Sequence, residues 1–176
     1  MATMILLVGL PAASKTTLAK QLAGEHSALR LSPDEWMSPL FGQPEAEGKR
    51  DLLEGRMIGL ARQLLRLDTN VVLDFGCWAK DERSALHWLT LREKAVFHLV
   101  YLAVDRQTQL ERIRRRWADV PDQTSPMTAA DLDRWQSMFE VPDTAELSGA
   151  APPERPYPWS SWLHWAEHRW PSLSTT

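Results

Sequence analysis

The sequence predicts an α/β fold, a parallel sheet with helices on both faces, and three observations predict it. Apolar runs of strand length at residues 4–8, 28–31, 71–76 and 95–104 alternate with stretches of helical spacing. The first run leads directly into Gly9-Leu10-Pro11-Ala12-Ala13-Ser14-Lys15-Thr16-Thr17, which opens onto a helix, the setting that a phosphate-binding loop requires. Two carboxylates, Asp34 and Asp74, stand where the second and third runs end, and the C-terminal edge of an open parallel sheet is where ligands bind.

Residues 4–8 are apolar at every position, as a strand buried on both faces must be. No basic segment precedes them, so they read as a strand and not as a secretion signal. The loop helix follows over about 15–25. Past the second run, Ser32-Pro33-Asp34-Glu35 reads as a helix start, with Ser32 at the N-cap, Pro33 in the first helical position and Glu35 closing a capping box. Residues 39–48 read as a loop. Residues 49–67 have helical spacing, with Leu52, Leu53, Met57, Leu60, Ala61, Leu64 and Leu65 on one apolar face. A turn at Asp68-Thr69-Asn70 feeds the third strand, a helix over 81–94 precedes the fourth, and His98 within that strand is expected to pack. A helix over 105–117 ends in Arg112-Ile113-Arg114-Arg115-Arg116 and runs into a polar loop, and Thr128 with Asp131 caps a helix reaching about Phe139. Residues 141–158 are Pro-rich and mostly irregular. Residues 160–170 read as a last amphipathic helix, and Trp159, Trp162, Trp165 and Trp170 are expected to cover the domain's own core.

A chain of 176 residues, 44% hydrophobic, has the length for one sizeable core. No apolar run approaches the roughly 20 residues that span a bilayer. Its one cysteine, Cys77, excludes an internal disulfide framework and a thiolate zinc cage, and a cytoplasmic protein is the expectation. A net charge of −3 gives no general attraction to polyanions, so nucleic acid is not the expected partner.

The chemistry concentrates at the strand ends. In a G-x-x-x-x-G-K-[ST] loop the backbone N–H groups surround a phosphate, the lysine reaches the β/γ oxygens and the hydroxyl holds Mg²⁺. Gly9, Lys15 and Thr16 occupy those places, and Ser14 stands where the second glycine is expected, at a position that calls for positive φ. Ala12, Ala13 and Thr17 complete the cradle. Phosphoryl transfer asks a protein for positioning, charge neutralisation and a base. An acceptor hydroxyl would lie near Asp34, Mg²⁺ near Thr16 with Asp74 reaching it through water, and the γ-phosphate between Lys15 and cations such as Arg112, Arg115 and Arg116. Trp36, Phe75 and Trp78 follow the two carboxylates and read either as the walls of an acceptor pocket or as packing for the first turns of their helices.

From residue 4 to 142 the chain resembles the small P-loop kinases of the zeta-toxin, polynucleotide kinase, chloramphenicol phosphotransferase and shikimate kinase type, a group that includes AAA-annotated kinases. The resemblance rests on Gly9 to Thr17, on Asp34 in Leu31-Ser32-Pro33-Asp34-Glu35-Trp36, on Asp74 followed by Asp81-Glu82-Arg83, on Arg112 and Arg116, and on Phe139-Glu140-Val141-Pro142. It implies a P-loop NTPase fold of the nucleoside-kinase-like kind: three layers, a parallel sheet and a helical lid at about 105–128. It also implies a kinase domain over 1–142, with 143–176 an extension packed on it. By the same resemblance Asp34 is the general base, Arg116 contacts the transferred phosphate, and the segment ending at Pro142 lies toward the adenine of ATP or another NTP. Two departures accompany Ser14: no apolar run after the lid supplies a fifth strand, and Met37 replaces the arginine that polynucleotide kinases use to hold an acceptor phosphate. The leading expectation is an ATP-dependent kinase acting on a hydroxyl of a small molecule, with natural products and antibiotics among the candidate acceptors. A nucleotide-binding switch with little turnover and a 5′-hydroxyl nucleic-acid kinase are the alternatives.

Overall fold

The computed structural model describes residues 1–42, 47–119 and 128–174. Among them four strands, β1 (Thr3–Val8), β2 (Leu29–Leu31), β3 (Val71–Leu73) and β4 (Val96–Tyr101), form one parallel sheet in the order β2-β3-β1-β4. The expected α/β class is therefore the observed one. Leu6 of the central strand pairs with Leu73 on one side and Leu99 on the other. The chain leaves β1 toward β2 through α1 (Lys15–Glu25) and leaves β3 in the opposite direction toward β4 through α4 (Lys80–Arg92). Right-handed crossovers that run in opposite directions put their helices on opposite faces. The reversal falls between β1 and β3, so the segments after those two strands diverge there and leave a crevice at the strand ends.

Alternation along β1 builds both cores at once. Ile5 and Leu7 join Ala19 of α1 and Val72 of β3. Met4, Leu6 and Val8 face the other way and join Leu73, Met57 of α3 (Lys49–Arg66), Leu86 of α4, and Trp162 and Ala166 of α8 (Trp162–Arg169). Each such side chain contributes about 1.5–3 kcal/mol by leaving water, so β1 supplies apolar burial to both layers at once.

Local chemistry sets the helix boundaries, with departures from expectation. Helix α2 (Pro33–Phe41) begins at Ser32, but no side-chain cap forms there. Glu35 turns away to meet Arg30 instead, because a guanidinium is a stronger partner for a carboxylate than a backbone N–H. The helix also continues through Pro39, read above as the start of a loop, and Gly42 ends it in the left-handed region at φ 74°. Helix α5 (Arg106–Asp119) runs two residues into the polar loop expected at 118–127, whose remainder lies outside the described residues, and helix α6 (Ala129–Met138), with its Thr128–Asp131 capping box, lies as expected. In the Pro-rich segment a short turn of helix, α7 (Thr144–Leu147), is capped by Asp143.

The tryptophan-rich end covers the α3/α4 face. Trp170 is fully buried and Trp162 nearly so, and edge-on ring contacts at 5.8 and 5.9 Å link Trp162 to Trp165 and Trp165 to Trp170. The buried Trp162 indole N–H donates to the Pro153 carbonyl at 2.9 Å.

At the far end of the same face, Glu93 is clamped by Arg62 and Arg66 of α3, each Nε donating at 2.7 Å. The hydrogen bond from Arg66, and that from Arg62, hold the Glu93 carboxyl below its ordinary value of 4.5. A carboxylate whose folded value is depressed contributes stability that is present above the unfolded value and lost as pH falls through the folded one. Glu93→Gln is therefore expected to lower the urea midpoint at pH 7, and the gap to the parent should close as pH drops below about 4.5. A gap independent of pH would mean that the side chain acts by packing alone.

Candidate functional site

The segment between β1 and α1 begins with a steric requirement. A Cβ on Gly9 would lie 2.6 Å from the Leu102 carbonyl oxygen, so only glycine lets the chain pass the end of β4. Ala12 and Ser14 are both left-handed, with φ of 63° and 65°. Such a turn curls successive N–H groups toward one concave side. Ser14 does not cap α1 with its side chain, and the first turn of α1 carries no acid, so the positive end of the helix dipole meets that concavity without a built-in anion.

The strain at Ser14, about 1–2 kcal/mol for a left-handed non-glycine residue, has a visible counterpart. Arg112 of α5 donates from Nη1 to the Ala12 carbonyl at 3.0 Å and to Ser14 Oγ at 3.2 Å. Gln109, one turn earlier and 2% exposed, donates to the Pro11 carbonyl at 2.9 Å. The serine hydroxyl is thus a contact point for α5, a role no sequence spacing indicated. Ser14→Gly removes the strain but returns about 0.4–1 kcal/mol of chain entropy to the unfolded state, and Arg112 keeps its bond to Ala12. The expected result is a melting temperature close to the parent's and nucleotide affinity equal or higher, checked by thermal melts and titration with an ATP analogue. Markedly weaker binding would mean that the serine hydroxyl itself is needed for the nucleotide.

Charges from three strand ends act on one another around Lys15. Its Nζ donates to the carbonyls of Gly9 at 2.8 Å and Leu10 at 3.0 Å. Burial lowers its pKa from 10.5, against the opposing pull of Asp74 and Asp34. Asp74, just past β3, has a side chain only 3% exposed. Burial raises its pKa, opposed by a hydrogen bond from Thr16, by Arg30 and by Lys15. Arg30 of β2 donates to Asp74 Oδ2 at 3.0 Å. Asp34, in the first turn of α2, is 72% exposed at its side chain and accepts from Arg50 Nη1 at 2.7 Å. Lys15, Thr16, Asp34 and Asp74 therefore form one electrostatic group beside the curled loop, as their places at the strand ends implied.

Among the described residues no group of three or more His, Cys, Asp or Glu side chains could hold a metal by itself. The Thr16 hydroxyl beside the buried Asp74 carboxylate, at a loop curled for phosphate, is instead the hard-oxygen donor set that suits Mg²⁺ shared with a nucleotide. Thr16 and Asp74 fit that ion.

The pocket-wall residues separate. Phe75 is 1% exposed and belongs to the core, as does Met37 at 0%, so Phe75 packs and does not face an acceptor. An aromatic ring directly after a strand whose positions are all buried continues into the interior. Trp36 is 45% exposed, and Trp78 is half-buried edge-on to Trp135 at 6.4 Å. Pro142 is buried, and its segment is tied to the start of α4: the Glu140 N–H donates to the Trp78 carbonyl at 3.1 Å, the Lys80 N–H donates to the Glu140 carboxylate, and Phe139 stacks on Tyr101 at 5.9 Å. Arg116 belongs to α5 by its backbone, and its side chain lies outside the described residues.

A family model described as an AAA domain matches residues 4–142. The chain belongs to that AAA domain family. Three solved structures resemble this AAA-domain chain: a candidate kinase from Chloroflexus aurantiacus, Kti12 from Chaetomium thermophilum in complex with ADP-AlF3, and a gluconokinase from Sinorhizobium meliloti. The first is 21% identical with a TM-score of 0.62, covering 81% of this chain and 82% of its own. Kti12 is 14% identical with a TM-score of 0.62, covering 97% and 99%. The gluconokinase is 12% identical with a TM-score of 0.57, covering 99% and 92%. At these identities the likeness is one of fold, and the fold is that of the P-loop kinases. Comparison with curated proteins by sequence returns no match. Among the described residues of this AAA-domain chain no helix is long and apolar enough to cross a membrane.

Arg30 and Arg50, which hold the two site carboxylates, were not singled out from sequence. Arg30 carried a signal, since a charged residue in a short strand needs a partner. For Arg50 the sequence shows only its helical spacing to Glu54, and nothing local sets it against Asp34.

Proposed function

We propose that this AAA-domain chain is an ATP-dependent phosphotransferase acting on a hydroxyl of a small molecule. The observation that carries the reading is that Asp34 and the buried Asp74 both act electrostatically on Lys15 at the curled loop, with Asp74 held by Arg30 and Thr16 beside it. In this assignment Lys15 neutralises the β/γ oxygens, the loop N–H groups hold them, and Asp34 takes the acceptor's proton as the acceptor oxygen bonds to the γ-phosphorus and the bond from that phosphorus to the β,γ-bridging oxygen breaks, with ADP as the leaving group. Thr16 and Asp74 are the residues that would hold Mg²⁺, which when bound neutralises phosphate charge. Arg112 keeps the loop in shape, and Arg116, one helical turn on, is proposed to reach the transferred phosphate. The exposed Trp36 and the half-buried Trp78 offer apolar walls on the acceptor side, and the likeness to a gluconokinase supports a small polyhydroxylated acceptor.

A second reading, a nucleotide-dependent switch with little turnover, draws on the arginines that engage both carboxylates and on the likeness to Kti12 along almost the whole chain. Incubation with Mg·ATP, pooled hydroxylated metabolites and, separately, a 5′-hydroxyl oligonucleotide, read by mass, tests both. A metabolite gaining one phosphate is the expected result. Nucleotide bound and hydrolysed with no acceptor phosphorylated would overturn the kinase reading in favour of the switch, and phosphate on the oligonucleotide would overturn the small-molecule acceptor.

A further inference from the structure

We propose that the C-terminal extension positions Asp34, through a chain of hydrogen bonds in which Trp170 holds Glu54, Glu54 holds Arg50 and Arg50 holds Asp34. The inference rests on the reading of Asp34 as the base. Trp170 is fully buried, and a buried indole N–H must find an acceptor. It donates to Glu54 Oε2 at 3.0 Å. Glu54 is only 5% exposed, and a buried carboxylate is tolerated only when its oxygens are engaged. Its second oxygen, Oε1, accepts from Arg50 Nε at 2.9 Å, which leaves Arg50 Nη1 to reach Asp34 Oδ1 at 2.7 Å.

Burial decides which end of this chain sets the geometry. An ion pair on an exposed carboxylate contributes about 0–1 kcal/mol and does not by itself hold a side chain in one place. Asp34 is such a carboxylate, so the order must come from the buried end, where Trp170 and Glu54 are fixed by packing and a connected network is worth more than its separate bonds. The extension is seated at that very turn of α3. A Cβ on Gly55 would lie 2.4 Å from Ser172 Oγ, 3.0 Å from the Leu173 nitrogen and 3.2 Å from the Trp170 carbonyl oxygen, so the glycine next to Glu54 is the notch into which the chain settles. Ser172 Oγ donates to the Leu52 carbonyl, and Arg169 bridges Asp51 of α3 to Glu82 of α4. These contacts surround the turn that carries Arg50 and Glu54. Trp170, Glu54 and Arg50 are accordingly positioning residues.

The rival account is that the extension only covers the core. Trp170→Phe separates the two, since it keeps an aromatic ring in place and removes the N–H donor. Nitrogen–proton correlation spectra of the full chain give one signal per indole, and the signal lost in Trp170→Phe identifies Trp170. In Asp34→Asn that signal is expected to shift, because the far end of its hydrogen-bond chain has changed. An unmoved signal overturns the proposal and leaves the kinase reading standing.

Steady-state hydrolysis of Mg·ATP, with water as the acceptor, supplies the second readout. Trp170→Phe is expected to lower kcat about tenfold with KM for Mg·ATP unchanged, because a base displaced by a fraction of an ångström loses orientation and not nucleotide contacts. Glu54→Gln, which keeps a carbonyl for the indole but loses its charged grip on Arg50, should do the same, and serves if the phenylalanine variant does not fold. Combined with Asp34→Asn, neither change should slow hydrolysis further, as expected of residues acting through one group. Multiplicative losses in the double variants would overturn the chain. Full turnover in Asp34→Asn would overturn the base on which it rests, a failure distinct from an unmoved indole signal.

Discussion

Lys15→Ala is expected to abolish tight Mg·nucleotide binding and, with it, all transfer. The ammonium lies over the turn, donating to the Gly9 and Leu10 carbonyls, and no other residue from Gly9 to Thr17 is charged. Burial disfavours its positive charge and lowers its pKa, and Asp74 and Asp34 oppose that shift in part, so carboxylates support the ammonium where phosphate oxygens would sit. Charge-assisted hydrogen bonds to a phosphate are roughly twice as strong as neutral ones, and removing a charged partner costs about 1.5–3 kcal/mol per bond, which makes a loss of at least a hundredfold in affinity the expectation. Calorimetry with a non-hydrolysable ATP analogue measures it, and a thermal melt shows whether the variant is folded. Unchanged affinity in a folded variant would remove the phosphate-loop reading.

Asp34→Asn is expected to leave that affinity in place and to lower kcat by about 10²–10⁴-fold on an identified acceptor. The amide is nearly the same size and can still receive a hydrogen bond from Arg50, so the cleft keeps its shape while its capacity to take a proton is gone. Asp34 is the better candidate of the two site carboxylates because it is largely exposed, whereas Asp74 is buried and engaged by Thr16 and Arg30. Trp36→Ala, two residues further along α2 and exposed, should instead raise the acceptor KM with little change in kcat. If Asp34→Asn retains full turnover, the base is elsewhere and Asp74 is next to be replaced.

Much of the site was legible because it obeys local rules. An apolar strand followed by a phosphate-type loop and a helix is a contiguous pattern, and Ser14 adopts the positive φ that its position demanded. Asp34 and Asp74 could be placed at one edge because in a parallel sheet every strand points its C-terminal end the same way. Phe75, which the sequence left open between pocket wall and packing, packs in the core; a ring beside a carboxylate looks the same in sequence whether it faces a cleft or the interior. Glu35 was given to a cap that does not form, because its actual partner, Arg30, lies on a different element.

By itself, then, the sequence determined the four strands and the main helices, the parallel sense of the sheet and the residues that gather at its C-terminal edge, all consequences of periodicity and short-range spacing. Only the tertiary structure decided which arginine meets which carboxylate, that Arg112 is anchored on Ser14, and that Trp170 reaches Glu54 across 116 positions. A buried polar group must be satisfied by whatever donor or acceptor packing brings within hydrogen-bond reach, and that choice depends on contacts between elements far apart in the chain.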